Sequence, residues 1–188
     1  AEFVRVNIES TRTLHDMALE SGVRRFVYTS TTALYGDAIA QGSCSWISED
    51  TVPQPRTIYH RTKLAAEALL EEAASMAMPV RVMRMSRCFP EPAPLMALYR
   101  LHRGVDARDV AQGHRLALTN PGARFERYIL SGASPFERGD CYTLAEDAPE
   151  VIRARAPALA AAFSARGWRL PRSIDRVYDS SHAQRSLG

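Results

Sequence analysis

The apolar positions of this chain follow a helical period in two long segments. The first, residues 2–21, ends at Gly22, which is typical of a helix closed by a glycine cap. Its apolar positions are Val4, Ile8, Leu14, Met17 and Ala18. The second segment, from about Tyr59 to Met76, is rich in alanine, leucine and glutamate, and Pro79 enforces a break after it. Both segments are therefore predicted to be helices.

Short runs rich in β-branched and aromatic residues alternate with the helical segments. Strands are predicted from Arg25 to Thr29, from Val80 to Met85 and from Arg127 to Ser131. Helices flank the first of these runs on both sides in sequence, so we expect it to be a buried strand of a parallel sheet. The pattern as a whole predicts an α/β fold.

The segments between these elements carry weaker signals. Residues 37–57 are predicted to be an irregular loop, and residues 94–105 a brief connection. A helix that begins at Asp106 or Asp109 is predicted to run to Leu118. Two further short helices are predicted from Glu146 to Arg155 and from Pro157 to Arg166.

Length and composition limit the class of protein. The 188 residues, of which 46% are hydrophobic, suit a single globular domain over residues 1–188. There is no run of 18 apolar residues and no charged-then-apolar leader, so we expect no membrane contact, no secretory signal and a cytoplasmic location. The net charge of +3 is spread along the chain without a basic block, so nucleic acid is not an expected partner.

The cysteines do not indicate a disulfide framework or a metal site. Cys44, Cys88 and Cys141 are odd in number and far apart in sequence, and no Cys-x-x-Cys or His/Cys ligand spacing is present. We expect three free thiols and no bound metal.

Tyr59 and Lys63 are the most informative pair of residues. They are four residues apart at the start of a predicted helix, so both side chains lie on one face. A phenol gives up its proton near neutral pH only if a nearby cation favours the phenolate, and Lys63 is such a cation. Of the 24 basic residues Lys63 is the only lysine, which favours a role that an arginine would not fill. On spacing alone, a solvated Tyr and Lys on a surface helix remains the alternative.

Four consecutive hydroxyl side chains, Thr29 to Thr32, follow the first predicted strand. Ligands of open α/β sheets bind beyond the carboxyl ends of the strands, which is where these residues fall. A turn in which the hydroxyls satisfy backbone groups is the alternative.

Motifs in order along the chain resemble those of the extended short-chain dehydrogenases/reductases, the NAD-dependent epimerase/dehydratase family. They are Tyr59-His-Arg-Thr-Lys63, the strand and Tyr-Gly of residues 25–36, Arg108-Asp-Val-Ala111 and the closing segment 177–188. The resemblance implies a Rossmann-like parallel sheet flanked by helices. It also implies hydride transfer between a nicotinamide and a carbinol or ketone carbon, by an oxidoreductase or epimerase.

Site residues follow from the same resemblance, with the catalytic set Asn7, Thr31, Tyr59 and Lys63. Asn7 resembles the family's helix asparagine, which braces the helix and helps to hold a water molecule on the proton path near the lysine. A solvated helix asparagine is the alternative. NAD or NADP is the implied cofactor, with NAD preferred, and its expected contacts are Thr29, Tyr59, Lys63 and Met85.

The expected substrate is a sugar or nucleotide sugar, held by Thr31, Thr32 and Arg87 in a cleft completed by a small substrate lobe from residues 87–104 and 132–175. Arg87 stands where the family usually has an asparagine that helps hold a nucleotide sugar, and Pro90 where it has a glycine. The motif Cys88-Phe-Pro-Glu-Pro92 more closely resembles that of uronate dehydrogenases. Those enzymes place an arginine that binds the substrate carboxylate where this chain has Leu95 and Met96. Arg87 or Arg100 could substitute for it, and an ion-paired surface Arg87 is the alternative.

The family's Gly-x-x-Gly-x-x-Gly turn, which binds the pyrophosphate at a helix N-terminus, does not occur in these 188 residues. We therefore expect an N-terminally truncated domain, the C-terminal part of the fold, that is inactive as given and part of a homodimeric enzyme at full length. The alternative is a degenerate relative that acts as a binding or scaffold protein.

Overall fold

The computed structural model describes residues 2–39 and 42–188. Its helices are α1 (Glu2–Val4), α2 (Ser10–Glu20), α3 (Ile58–Ala73), α4 (Ala93–His102), α5 (Ala107–Ala117), α6 (Cys141–Glu146), α7 (Ala148–Arg155), α8 (Pro157–Ala165) and α9 (Ser181–Leu187). Its strands are β1 (Phe26–Thr31), β2 (Ser45–Ile47), β3 (Val80–Met85), β4 (Phe125–Leu130) and β5 (Arg176–Tyr178). Within the described ranges, no helix has the length and apolar character needed to cross a membrane.

The central sheet is parallel, has the strand order β1-β3-β4, and is flanked by helices, which confirms the predicted α/β class. In register, Thr31 lies beside Met85 and Met85 beside Leu130, so the three carboxyl ends form one edge. β3 has the predicted bounds, and its first five residues are buried because it lies between two strands.

The prediction of a buried strand at residues 25–29 is wrong in detail. β1 begins at Phe26, continues to Thr31, and has Ser30 as its one buried residue. The reason is its place at the edge of the described three-stranded sheet, where only β3 is its neighbour. The predicted strand at Arg127 to Ser131 is β4, which begins two residues earlier.

The N-terminal helical segment is broken by a π-helical stretch, Arg5–Glu9, between α1 and α2. Gly22 lies just after the end of α2 and has a φ of 71°, the left-handed conformation expected of a glycine cap. The apolar positions that indicated this helix are not its buried face, because Leu14 and Met17 are exposed. Thr11 and His15 are buried instead, and the His15 ring packs edge-on against Phe26 of β1.

A second, two-stranded parallel sheet pairs β2 with β5. The predicted irregular loop at residues 37–57 is therefore wrong at Ser45–Ile47, and its residues 40 and 41 lie outside the described residues. A 3₁₀ helix, Thr32–Ala38, links β1 to this region. The brief connection predicted at residues 94–105 is formed largely by α4 (Ala93–His102), a helix that the sequence analysis did not predict.

The other predicted helices are present. α3 covers most of the predicted Tyr59 to Met76 segment, and α5 begins after Asp106, whose side chain accepts a hydrogen bond from the Arg108 amide. α7 and α8 lie within the predicted short helices. Together with α4, α6 and β5 they surround one apolar cluster, whose buried members are Leu101, Phe136, Leu144, Ala148, Val151, Ile152, Ile174 and Val177.

The cysteines are free thiols, as predicted. Cys44 and Cys141, far apart in sequence, lie within hydrogen-bond reach of each other, and burial raises the pKa of both thiols. Among the described residues, no group of three or more His, Cys, Asp or Glu side chains could hold a metal ion.

His102 links α4 to the second sheet and is the source of a pH-dependent stability. The side chain is buried, and its Nδ1 lies 2.8 Å from the Arg176 carbonyl oxygen. Burial lowers the pKa of His102 from 6.5 to about 4. His102 therefore binds a proton below about pH 6.5 in the unfolded chain but only below about pH 4 in the folded chain.

We predict that the free energy of unfolding falls by about 3 kcal/mol from this residue as pH drops from about 6.5 to about 4. In His102→Gln, which keeps a donor for the Arg176 carbonyl, that part of the pH dependence should disappear. Urea unfolding at several pH values measures it, with His60→Gln as the control for a histidine that is only half-buried. An unchanged slope in His102→Gln would contradict the assignment.

Candidate active site

A cavity of about 540 Å³ opens at the carboxyl ends of β1 and β3. Its wall includes six of the residues predicted for the site, namely Thr29, Thr31, Thr32, Tyr59, Met85 and Arg87. Two predicted residues, Asn7 and Lys63, are not part of this wall: Lys63 donates directly to the Thr29 carbonyl, and Asn7 is linked to Tyr59 through Thr62. The location agrees with the general position of ligand sites in open α/β sheets.

α3 positions Tyr59 and Lys63. Thr57 caps the helix by accepting a hydrogen bond of 3.2 Å from the His60 amide, so Tyr59 lies in the first turn, at the cavity. Tyr59 is 37% exposed, which leaves its hydroxyl open to a ligand. Lys63 is one turn further along the same face. The sequence prediction of a shared helix face is therefore confirmed.

The Lys63 ammonium is directed toward the end of β1. Nζ donates a hydrogen bond of 2.7 Å to the Thr29 carbonyl and lies 4.0 Å above the centre of the Tyr28 ring. Burial lowers the pKa of Lys63 from 10.5 to about 8, although the negative charge of Glu67 opposes the shift. This lysine is thus charged at neutral pH but close to the range in which it would lose its proton.

The hydroxyl run divides into different roles. The Thr31 hydroxyl oxygen accepts from the Ala33 amide at 3.1 Å, which is the turn role considered as the alternative. Its own O–H remains available to donate into the cavity. Thr29 is exposed, and its hydroxyl is 2.8 Å from Nε2 of His114. The Thr32 hydroxyl lies 3.4 Å from the Met85 carbonyl.

Asn7 braces the turn of α3 that contains Tyr59. It lies in the π-helical stretch, and its Nδ2 donates a hydrogen bond of 2.9 Å to the Thr62 hydroxyl. Thr62 in turn donates to the Tyr59 carbonyl at 3.0 Å. Single-turn π-helical insertions occur frequently at functional sites. These contacts support a bracing role over that of a solvated helix asparagine.

A buried ion pair joins three elements beneath the cavity. Glu67 of α3 is fully buried and accepts hydrogen bonds from the Ser30 hydroxyl and from the Arg84 guanidinium, with Arg84 Nη2 at 2.6 Å. Arg84 of β3 also donates to the Tyr35 hydroxyl at 2.6 Å. Burial opposes the charged form of Arg84, but the hydrogen bonds to Glu67 raise its pKa above the ordinary value. This network fixes β1, α3 and β3 relative to one another.

Three arginines line the cavity: Arg87, Arg103 and Arg176. Arg87 pairs with Glu91, and half of its side chain remains exposed. Arg103 stacks on the Tyr99 ring at 4.2 Å, and its Nε has no hydrogen-bond partner among the described residues. Arg100 is not part of the cavity wall, and it pairs with Asp106.

Sequence reasoning missed several residues of the cavity wall, namely Ser86, Phe89, Arg103, Arg176 and Tyr178. Ser86 and Phe89 lie directly after β3, where a ligand site was expected, so their positions could have been found. Arg176 and Tyr178 belong to β5, which reaches the site through long-range contacts: it pairs with β2, and the Tyr178 hydroxyl donates to the Thr32 carbonyl. No local signal in the sequence indicates that pairing.

The residues at the cavity fit the nicotinamide end of a dinucleotide. Tyr59 and Lys63 present a hydroxyl and an ammonium from one helix face, and the buried Ser86 hydroxyl on the wall lacks a partner among the described residues. The pyrophosphate end is not matched, because the 188 residues contain no Gly-x-x-Gly-x-x-Gly turn.

Comparison with known proteins agrees with the motifs. The sequence model of the NAD dependent epimerase/dehydratase family matches residues 1–92. The dTDP-glucose 4,6-dehydratase of Streptomyces griseus is 39% identical over 129 residues, which are 68% of this chain and 37% of the dehydratase.

Solved structures share the fold at lower identity. MoeE5 in complex with UDP-glucose and NAD has 22% identity and a TM-score of 0.61, over 97% of this chain and 64% of that chain. A DesIV double mutant, a dTDP-glucose 4,6-dehydratase from Streptomyces venezuelae with NAD bound, has 17% identity and a TM-score of 0.60, over 98% of this chain and 60% of that chain.

The chain therefore spans well under two thirds of the curated relatives it matches and slightly under two thirds of the solved ones. Rossmann-like epimerase and dehydratase structures confirm the predicted fold class. The predicted resemblance is confirmed as well, because this chain carries the sequence pattern of the NAD dependent epimerase/dehydratase family over residues 1–92 and the fold of such enzymes over 97% of its length.

Proposed function

We propose that this chain is the catalytic part of an NAD(P)-dependent oxidoreductase or epimerase that acts on a hydroxyl or ketone carbon of a sugar or sugar derivative. One observation carries the proposal. Tyr59 and Thr31 line a single cavity from two different elements, and the Lys63 ammonium is fixed directly behind them on the Thr29 carbonyl.

Each of these residues has a distinct task in the proposed reaction. Tyr59 exchanges the proton of the reacting hydroxyl as general acid and base. Lys63, one helical turn away on the same face, supplies a positive charge beside Tyr59. Thr31 donates a hydrogen bond to the same reacting oxygen, since the bond from the Ala33 amide uses an acceptor lone pair and leaves the O–H as a donor.

A nicotinamide cofactor, when bound, supplies the carbon that accepts or returns the hydride. Lys63 and Tyr59 would hold its ribose hydroxyls, with Thr29 and Met85 at the adjoining strand ends. NAD is preferred because the family is NAD dependent and both MoeE5 and DesIV have NAD bound. Asn7 would keep Tyr59 in place through Thr62.

The cavity favours a substrate with an anionic group. Arg87, Arg103 and Arg176 line the cavity, and guanidinium groups bind phosphate and carboxylate in a bidentate manner. Arg87 pairs with Glu91 and Arg176 with Asp175, so Arg103, whose Nε has no hydrogen-bond partner among the described residues, is the first candidate to bind the anion. A nucleotide sugar fits this charge pattern, as does a sugar acid. Thr31, Thr32 and Arg87 would contact the sugar, and MoeE5 and DesIV, whose names or bound ligands include UDP-glucose and dTDP-glucose, support the sugar class.

The substrate lobe in this proposal consists of residues 87–104 and 132–175. α4 and α6 to α8 pack around the separate apolar cluster beside β5, next to the cavity. A homodimer at full length is part of the proposal, and the exposed Leu14 and Met17 of α2 supply apolar surface for it.

A non-catalytic binding or scaffold protein is the weaker candidate. Such a protein has no need for a lysine whose pKa is lowered to about 8 at the end of β1, or for an asparagine that braces the helix turn of Tyr59. The 188 residues alone should nevertheless be inactive, because much of the affinity for a dinucleotide comes from the glycine turn that this sequence lacks.

The charge state of Lys63 can be measured directly, because the 188 residues contain no other lysine. Protein labelled with lysine carrying ¹³C at Cε should show one resonance, which titrates with a midpoint near pH 8 because burial lowers the pKa of Lys63 to that value. Lys63→Arg, which has no such resonance, serves as the assignment control. A midpoint above about pH 10, the ordinary range of lysine, would show that the ammonium is solvated.

The role of Thr31 is tested by two variants of the full-length protein, assayed for NAD reduction with UDP-sugars and dTDP-sugars. Thr31→Ser keeps the donor and should remain active. Thr31→Val, similar in shape, should lose roughly two orders of magnitude in kcat, the scale of one such donor.

Because valine also removes the acceptor for the Ala33 amide, the Tm of both variants has to be recorded beside the rates. A stable and fully active Thr31→Val would show that Thr31 does not donate to the reacting oxygen and serves only in the turn.

A further inference from the structure

The Lys63 ammonium has two fixed neighbours, and one of them is an aromatic ring. Nζ donates to the Thr29 carbonyl at 2.7 Å and lies 4.0 Å from the centroid of the Tyr28 ring. The face of an aromatic ring attracts a cation within about 6 Å, and the attraction grows when water is excluded. Tyr28 and Thr29 are consecutive residues of β1, so one strand supplies both contacts.

The alternation of side chains along β1 explains why Tyr28 meets α3. Tyr28 and Ser30 point to the same face of the sheet, where Ser30 donates to Glu67 of α3. Thr29 points to the opposite face, toward His114 of α5, while its carbonyl remains free to accept from Lys63. The ammonium of Lys63, which is partly buried, therefore contacts one ring and one carbonyl from adjacent residues.

The Tyr28 ring has little freedom to move. It packs against an apolar cluster that includes Leu69 and Leu70 of α3 and Val80 and Val82 of β3. Burial raises the pKa of Tyr28 to about 12, so the ring stays neutral at working pH. The attraction between Lys63 and Tyr28 is thus between a cation and a neutral ring face, rather than between opposite charges.

We propose that Tyr28 is a positioning residue for the reaction proposed above: its ring face and the Thr29 carbonyl hold the Lys63 ammonium where it can bind the ribose hydroxyls of the cofactor. The proposal rests on the proposed function for its effect on catalysis. Its structural part, the contact between ring and ammonium, stands independently of any activity.

Three variants test the contact in protein labelled with ¹³C at lysine Cε. The methylene protons next to Nζ should be shifted upfield by the Tyr28 ring in wild type and in Tyr28→Phe, which keeps the ring. Tyr28→Leu should lose this shift. Phe26→Leu is the matched control, because Phe26 lies on the same face of β1 and packs against the same cluster. It should lower the Tm without changing the Lys63 resonance.

Steady-state kinetics of the full-length protein test the catalytic effect. Tyr28→Leu should lower kcat/KM for NAD by roughly tenfold, mainly through KM, the scale of losing one partly desolvated cation–ring contact. Tyr28→Phe and Phe26→Leu should stay within about twofold of wild type.

The outcomes separate the two claims. An unchanged Lys63 resonance in Tyr28→Leu, or a Tyr28→Leu enzyme with wild-type KM for NAD, would overturn the proposal for Tyr28. A wild-type full-length protein that transfers no hydride would overturn the proposed function, and the resonance would still decide whether Tyr28 holds the ammonium.

Discussion

The rest of this structure depends on the buried ion pair between Glu67 and Arg84. A carboxylate without solvent access is costly unless its charge and its hydrogen bonds are satisfied. Glu67 meets this requirement through the Arg84 guanidinium and the Ser30 hydroxyl, and Arg84 also donates to Tyr35. Removing one member would leave an unpaired buried charge, which typically costs about 3–5 kcal/mol. The requirement therefore locks α3 against the ends of β1 and β3.

The positions of the candidate site residues follow from this ion pair. Lys63 is one helical turn before Glu67, so its ammonium reaches the Thr29 carbonyl, the residue next to the anchored Ser30. Thr31, on the other side of Ser30, then meets Tyr59 across the same cavity. The partly buried position lowers the pKa of Lys63, whereas Glu67 and the Tyr28 ring favour its charge. Packing and electrostatics thus act on the same few side chains.

Local signals in the sequence predicted the elements that carry these side chains. The bounds of β3 and the face shared by Tyr59 and Lys63 follow from short-range periods, and the only lysine of the sequence indicated the candidate site. Of the three arginines that line the cavity, Arg87, Arg103 and Arg176, only Arg87 was predicted. Arg176 belongs to β5, which pairs with β2, a strand more than 100 residues earlier in the chain. Each of these strands has only three residues, which is too short for an alternating pattern to predict them. The helical period predicted α2 but not which of its residues are buried, and Leu14 and Met17 are exposed.

In the proposed reaction Tyr59, supported by Lys63, moves the proton that accompanies hydride transfer. The most direct measurement is the nicotinamide absorbance of the full-length protein mixed with NAD and a set of nucleotide sugars, for wild type, Tyr59→Phe and Lys63→Arg. We expect reduced nicotinamide in the wild type, lasting if the sugar is oxidised and transient if the hydride is returned to it. We expect none in Tyr59→Phe, and most of the rate lost in Lys63→Arg although its charge is kept. A Tyr59→Phe variant that reduces NAD as fast as the wild type would contradict the account.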